Sequence, residues 1–479
     1  MWWVAAAFVA LELAVSGRYG FHRDELYFIV SGHRPAFGYV DQPPLAPLLT
    51  RFATTLLGTS PTAVRVVPAL AGGAVIVGTG LTTGALGGRR LAQVLAALAV
   101  ACSPMLFVTA HLAGTTVYDL VAWTFTILFV LRAVLHGRAP YWLAAGAVAG
   151  VGLENKDLIL ILGVALVVGL LTTPTRSVLT TRWPWLGGLV ALVLWTPNLI
   201  WQLTHSAPAL AMARSLRTEH SGSGDYGNFV LAQVVLVGVL AFPIVVIGIR
   251  HLFAHRELRF ALVTVGIVVA YVFATIPGRP YYTAGMVPLL FAAGGCRIEA
   301  KRPELVRNRL WLLAPVVGAV LMVALLLPVL PLSAFARLTF LHKTSYDLGE
   351  TVGWPQLTAQ VASVYDALPP GERKGTSIFT ANYGEAGALA VYGPRYDLPD
   401  PVSGHNTYWL WGPGDAPDRV VVAVGSVDQL RPHFGECRHR ATIHSPDDVV
   451  NDERGTGIWV CTGPRGTWSS FWSGLRHYG

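Results

Sequence analysis

Apolar residues crowd into positions 1–332 of this 479-residue chain, as runs long enough to cross a bilayer, and thin out afterwards. A spanning helix needs ~20 apolar residues to cross a hydrocarbon core about 30 Å thick. Runs that meet or approach this lie at about 2–16, 61–83, 91–110, 117–135, 185–203, 229–249, 260–276, 281–296 and 311–330. The stretch 140–171 is also apolar, but Glu154-Asn155-Lys156-Asp157 places four polar residues in its middle, which lipid would penalise heavily. It therefore reads as two short helices, 140–153 and 158–171. The pattern predicts about eleven crossings by the length rule. The first run, opening Met1-Trp2-Trp3, has the length of a signal peptide but no basic residue before it and no soluble domain after it, so it is read as a retained membrane helix.

The pattern changes after residue 339. Helical spacing over 357–368, short β-branched runs at Ser377-Ile378-Phe379-Thr380 and 419–424, and Gly, Pro and Asp between them predict a small α/β domain with a parallel or mixed sheet. The expected organisation is a membrane domain over 1–339, with a long outer loop at 17–60, and a soluble domain over 340–479. Orientation follows from the basic residues. With the N-terminus in the cytoplasm, the inner loops hold Arg89, Arg90, Arg132, Arg138, Arg176, Arg182, Arg250, Arg256, Arg259, Arg297, Lys301, Arg302, Arg307 and Arg309, and the outer loops hold fewer. That is the bias of cytoplasmic loops, and an odd number of crossings then places the soluble domain outside.

Composition narrows the function. Only 13% of residues are charged and 53% are hydrophobic, which excludes a water-soluble globule for most of the chain. The net charge of +8 sits in short loops between apolar runs, and no basic stretch alternates with stacking aromatics, so nucleic acid is not an expected partner. The soluble domain has no GxGxxG or P-loop, and no HExxH or CxxC occurs in the chain, so neither a nucleotide site there nor a zinc site is indicated by motif. Of four cysteines, Cys437 and Cys461 both lie in the soluble domain and could pair in an oxidising compartment.

The candidate chemistry concentrates in the outer loop. His22-Arg23-Asp24-Glu25-Leu26-Tyr27-Phe28 puts two adjacent carboxylates just past the first membrane helix. If a helix starts there along the bilayer surface, Asp24 and Glu25 point about 100° apart. One would face a cavity, where desolvation raises its basicity for proton abstraction, while the other pairs with an Arg or His. The plain alternative is Asp24 as a helix N-cap with Glu25 at the positive end. Asp41 is a second acidic position, followed by Pro43-Pro44, which either hold it in place or simply turn the chain. His111, Asp119, Glu154, Lys156, Asp157, His205 and Arg279 lie near membrane segments on the same face, where polar side chains line cavities or pair. Arg279-Pro280-Tyr281-Tyr282 offers a guanidinium and two phenols suited to a phosphate, although the tyrosines equally suit an interfacial aromatic belt.

Taken together, these motifs resemble glycosyltransferase family 39, within the type C membrane glycosyltransferases that include the protein O-mannosyltransferases and the lipid A aminoarabinose transferase. The resemblance rests on Asp24-Glu25 after the first helix, Tyr39-Val40-Asp41-Gln42-Pro43-Pro44, Val117-Tyr118-Asp119-Leu120, Gly152-Leu153-Glu154-Asn155-Lys156 and Arg279-Pro280-Tyr281-Tyr282 before Pro288. In the soluble domain, Asn382-Tyr383-Gly384-Glu385-Ala386-Gly387, Ser403-Gly404-His405-Asn406 and Tyr408-Trp409-Leu410-Trp411-Gly412 look like uncharacterised bacterial members. The resemblance implies a polytopic α-helical protein of the bacterial cytoplasmic membrane. It implies an inverting transferase that moves a monosaccharide from a polyprenyl-phosphate donor to a protein, lipid or cell-envelope glycan on the outer face. It implies Asp24 as general base or acceptor-orienting carboxylate with Glu25 beside it, Asp41 as the second acidic site, and Lys156 and Arg279, with Tyr281 and Tyr282, at the donor phosphate. His22, Asp119, His111, Glu385, His405 and Asn406 are cavity or acceptor candidates. The aminoarabinose transferase type has Glu and Lys where this chain has Asp41 and Gln42. No cofactor is required, though Asp24 and Asp41 could ligate a divalent metal. The competing readings are a transporter built on broken helices and a non-catalytic scaffold.

Overall fold

The computed structural model describes residues 1–219, 223–275, 279–301, 313–338, 345–417 and 419–478. Arg302, Arg307 and Arg309 and the boundary expected at 339/340 lie outside the described residues.

The helices that build the membrane part among the described residues include, in chain order, α1 Trp2–Val15, α2 Arg23–His33, α3 Leu45–Leu57, α4 Pro61–Ala85, α5 Arg90–Ala101, α6 Pro104–His111, α7 Thr115–Leu135, α8 Tyr141–Leu153, α9 Ile159–Leu171, α10 Arg182–Thr204, α11 Pro208–Glu219, α12 Ser223–Val237, α13 Phe242–Ala254, α14 Arg259–Thr275, α15 Val287–Lys301 and α16 Leu313–Leu326. By length and composition, four unbroken helices suit a bilayer: Pro61–Ala85, Thr115–Leu135, Arg182–Thr204 and Arg256–Thr275. The polar interruption at 154–157 divides α8 from α9, as the pattern predicts.

Two runs expected as single helices are bent instead. The run 91–110 breaks between α5 and α6 by 62°, and 229–249 breaks between Tyr226–Val237 and α13 by 99°. Local chemistry accounts for both. Pro104 follows Ser103, whose extended backbone cannot continue a helix into a proline, and Gly238 takes φ +93° just before Pro243. The stretch 17–60, expected as a loop, is itself largely helical, since α2 and α3 both lie within it.

The soluble part carries a five-stranded sheet in the order β2-β1-β3-β5-β4, with β1 Thr376–Thr380, β2 Pro401–Ser403, β3 Val420–Val424, β4 Phe434–Thr442 and β5 Gly457–Pro464. β1 is parallel to β2 and β3, while β3–β5 and β4–β5 are antiparallel, so the sheet is mixed. A Cys437–Cys461 disulfide joins β4 to β5. Helices α17 Trp354–Asp366 and α18 Tyr383–Tyr392 complete the domain. Its hydrophobic core continues into the outer loop: Phe21, Leu26 and Ile29 pack in one buried cluster with Trp354, Leu389, Val422 and Ile458. Helix α18 approaches α2 so closely that a Cβ on Gly387 would meet Leu26 Cβ at 2.9 Å. The soluble domain is thus seated on the loop that carries the acidic residues.

Candidate active site

The two adjacent carboxylates of α2 part company in the structure. Asp24 is not the N-cap: His22 caps the helix, accepting from the Asp24 backbone N–H, and Glu25 completes the capping box by accepting from the His22 N–H at 2.8 Å. Glu25 is fully buried and both its oxygens are engaged by Arg65, at 2.9 Å from Nε and 2.8 Å from Nη2, with a further bond from the Ala113 N–H at 3.0 Å. Arg65 also donates to the carbonyls of Ser16 and Gly20, so one bidentate pair ties α1, α2, α4 and the turn before α7 together. The expectation that Glu25 stands beside Asp24 in the reaction is therefore corrected to a position inside this clamp. Asp24 remains 42% exposed, and its Oδ1 accepts from the Tyr383 hydroxyl at 2.7 Å.

Asp41 is brought to the same place by a different route. Its Oδ1 lies 2.8 Å from the Tyr27 hydroxyl, which in turn lies 2.6 Å from Thr407 Oγ1. Each hydroxyl has one proton, and Thr407 Oγ1 already accepts from the Val40 N–H. The consistent arrangement has Thr407 donating to Tyr27 and Tyr27 donating to Asp41. The Tyr27 and Tyr383 rings are 5.0 Å apart, so the two carboxylates are held by a pair of packed phenols, one from the outer loop and one from the soluble domain. Burial pushes the Asp41 carboxyl up to about 7, against the Tyr27 hydrogen bond that favours its anion. Gly38, in the turn before Asp41, abuts Trp201 and Asn198 with no room for a side chain, and Asn198 donates to the Phe37 carbonyl at 2.8 Å.

The cations gather where the membrane helices break. Lys156 Nζ lies 4.5 Å from the Tyr282 ring centre and 5.5 Å from that of Tyr281, and Arg279 Nη1 is 3.4 Å from the Tyr281 hydroxyl. Asp119, accepting from Trp123 Nε1 at 3.0 Å, lies within electrostatic reach of Lys156. The Leu45 N–H donates to the Glu154 carbonyl at 2.8 Å, which fastens the segment after Asp41 to the loop that carries Lys156. Carboxylates and cations therefore share one end of the helix bundle. Gln42, next to Asp41, is buried with no partner for its Nε2 among the described residues.

Other expected residues are placed elsewhere. His111 Nδ1 is 3.0 Å from Glu12 Oε2 in a buried pair between α1 and α6. Glu385 caps α18, accepting from the Ala381 and Asn382 N–H groups, and burial together with neighbouring Glu453 raises its carboxyl. His405 accepts from the Tyr383 N–H through Nδ1 and packs its ring 5.0 Å from that of Tyr383. Asn406, with φ +47°, begins the short helix α19 Asn406–Trp411 that presents Thr407 to Tyr27. His205 is exposed and stacked on Trp201. Tyr27, Tyr383, Thr407 and Arg65 were not singled out by sequence. Only Arg65 carries a signal there, as a charge inside an apolar run. Among the described residues, no three His, Cys, Asp or Glu side chains are grouped to hold a metal ion.

Residues 41–201 match the family model described as dolichyl-phosphate-mannose-protein mannosyltransferase. No curated protein sequence matches significantly. Among solved structures, ArnT from Cupriavidus metallidurans bound to undecaprenyl phosphate is similar, with 17% identity, 97% of this chain and 99% of that chain covered, and a TM-score of 0.62. The Archaeoglobus fulgidus oligosaccharyltransferase in complex with Zn and sulfate is similar with 14% identity, 88% and 68% covered, and a TM-score of 0.51. The archaeal oligosaccharyltransferase AglB from the same organism, in complex with an inhibitory peptide and a dolichol-phosphate, gives 13%, 88% and 69%, and 0.50.

Proposed function

We propose that this chain, which has the type C glycosyltransferase fold, is a membrane glycosyltransferase that takes a monosaccharide from a polyprenyl-phosphate donor and passes it to an acceptor with inversion. The observation that carries the reading is the placement of two phenol-held carboxylates and a Lys–Arg pair at one end of the bundle, joined through the Leu45–Glu154 bond. The solved relatives add support, since one is described with undecaprenyl phosphate and another with a dolichol-phosphate.

The chemistry assigns each half a task. The acceptor hydroxyl or amine attacks the anomeric carbon, the bond from that carbon to the phosphate oxygen breaks, and polyprenyl phosphate leaves. Asp24, whose side chain is 42% exposed, orients the acceptor and takes its proton. Arg279 and Lys156 stabilise the charge growing on the phosphate, and the buried Gln42 beside Asp41 offers a neutral donor. Asp41 is the second acidic group at the reacting centre, its position fixed by Tyr27 and Thr407. Glu25 acts by positioning α2 through Arg65.

The site faces outward in this reading. Arg89, Arg90, Arg132 and Arg138 lie in or just after the last turns of α4 and α7, whose first turns lie near Arg65 and Asp119, and a cytoplasmic position for them agrees with the basic bias of inner loops. The Cys437–Cys461 disulfide in the domain that covers the site fits an oxidising compartment.

The test supplies the protein in nanodiscs with a set of polyprenyl-phosphate-linked monosaccharides and follows the release of polyprenyl phosphate. Release by the wild type, lost in Asp24→Asn, is expected. No release from any donor, by protein that is folded and supplied with cell-envelope acceptors, would overturn the assignment.

A further inference from the structure

A separate cavity of about 340 Å³ opens where the soluble domain meets the end of α2, at the low end of the ~300–1,000 Å³ of small-molecule sites. Arg34, Ser377, Asp400, Tyr408, Trp411 and Asp415 line it, with a wall of prolines and glycines. Two of its hydroxyls stand out. Ser377 is 1% exposed and Tyr408 5%, and neither Ser377 Oγ nor Tyr408 Oη has a hydrogen-bond partner among the described residues. Buried polar groups without a partner are rare and call for one from outside the fold.

The rest of the lining says what that partner is. Asp400 and Asp415 are exposed acceptors at the rim. Among the described lining residues the single guanidinium, Arg34, lies 4.8 Å over the Trp411 ring and is outnumbered by the two carboxylates, so the cavity carries no net positive charge to draw an anion. Two hydroxyls that can donate or accept, two carboxylates that accept, and an aromatic wall match a neutral molecule with many hydroxyls and an apolar C–H face. Tyr408 also stacks 6.1 Å from Tyr27, the residue that holds Asp41, so the cavity and the reacting centre share an aromatic partition.

We propose that this cavity binds a neutral sugar unit. The sugar binding stands without the transfer reading, while the identity of that sugar as a unit of the acceptor, making the acceptor a glycan, rests on it.

The experiment is saturation-transfer NMR on the full chain in nanodiscs, free of sugar-headed detergent, with methyl α-mannoside, methyl α-glucoside and methyl β-galactoside as probes. Wild type and the double variant Ser377→Ala/Tyr408→Phe are compared. Neither hydroxyl bonds to the described residues, so the variant should keep its melting temperature while affinity falls about tenfold for the two lost hydrogen bonds. Absence of transfer to all three probes in the wild type, or equal transfer in the variant, would overturn the proposal. Donor cleavage measured on the same wild-type sample reads the transfer reaction separately, so each reading fails on its own readout.

Discussion

The carboxylate side and the cation side of the site are assembled over very different lengths of chain. Asp24 meets Tyr383 from 359 residues away, and Tyr27 meets Thr407 from 380 residues away, so the acidic side exists only when the soluble domain is seated on the 17–60 stretch. Lys156, Arg279, Tyr281 and Tyr282 come instead from short breaks between membrane helices. The cations can therefore meet a lipid phosphate arriving from the bilayer, whereas the carboxylates depend on a docked cover. The contrast predicts that donor binding and sugar transfer are separable.

The largest effect should come from Asp24→Asn, which removes the proton acceptor without changing shape. Turnover is expected to fall about 10²–10⁴-fold, measured as polyprenyl phosphate released, with the donor still bound. Its neighbour gives the sharpest contrast. Glu25→Ala leaves Arg65 buried and unpaired, so it should lower stability by about 3–5 kcal/mol, seen in thermal melts, and a variant that melts like wild type would show that the clamp is dispensable. Arg279→Ala strikes the other side, and a loss of about 10²–10³-fold in turnover is expected, accompanied by weaker donor binding. Tyr383→Phe removes the hydroxyl on Asp24 and should cost about 1.5–3 kcal/mol in the transition state, as for hydrogen bonds to charged groups, with donor binding unchanged.

The smallest effect is a pH dependence. Asp41 is raised from 3.8 to about 7 by burial, so the fold favours its protonated form. As pH rises from about 4 to about 7 the unfolded chain loses this proton before the folded one, and stability should fall across that window. Asp41→Asn should flatten that part of the melting-temperature profile. If the anion is the working form, turnover rises through pH about 7 in the wild type, and a flat profile would sever Asp41 from the reaction.

Much of the membrane part was legible in the chain because burial in lipid writes itself as long apolar runs, and the four polar residues at 154–157 stood out against that background. Helices α1, α4, α7, α8, α9 and α10 fall within a few residues of the runs that predict them. The breaks at Ser103-Pro104 and Gly238 were not read, because apolar residues on both sides hide a change of direction. Asp24, Lys156 and Arg279 were found as charges out of place. Tyr27 and Tyr383 were not, since a tyrosine near an interface has ordinary reasons to be there, and only the docking of α18 on α2 gives these two a common task. Arg65 and Glu12 were missed although each is a charge within an apolar run, and the structure finds both in buried pairs, with Glu25 and His111.

The separation of the two sides can be tested by mass spectrometry of the lipids that remain with purified wild type, Asp24→Asn and Arg279→Ala. Polyprenyl phosphate or its sugar ester retained by wild type and Asp24→Asn, but depleted from Arg279→Ala, is the predicted result. Equal retention by all three, or loss from Asp24→Asn alone, would contradict the assignment of the phosphate to the cation side.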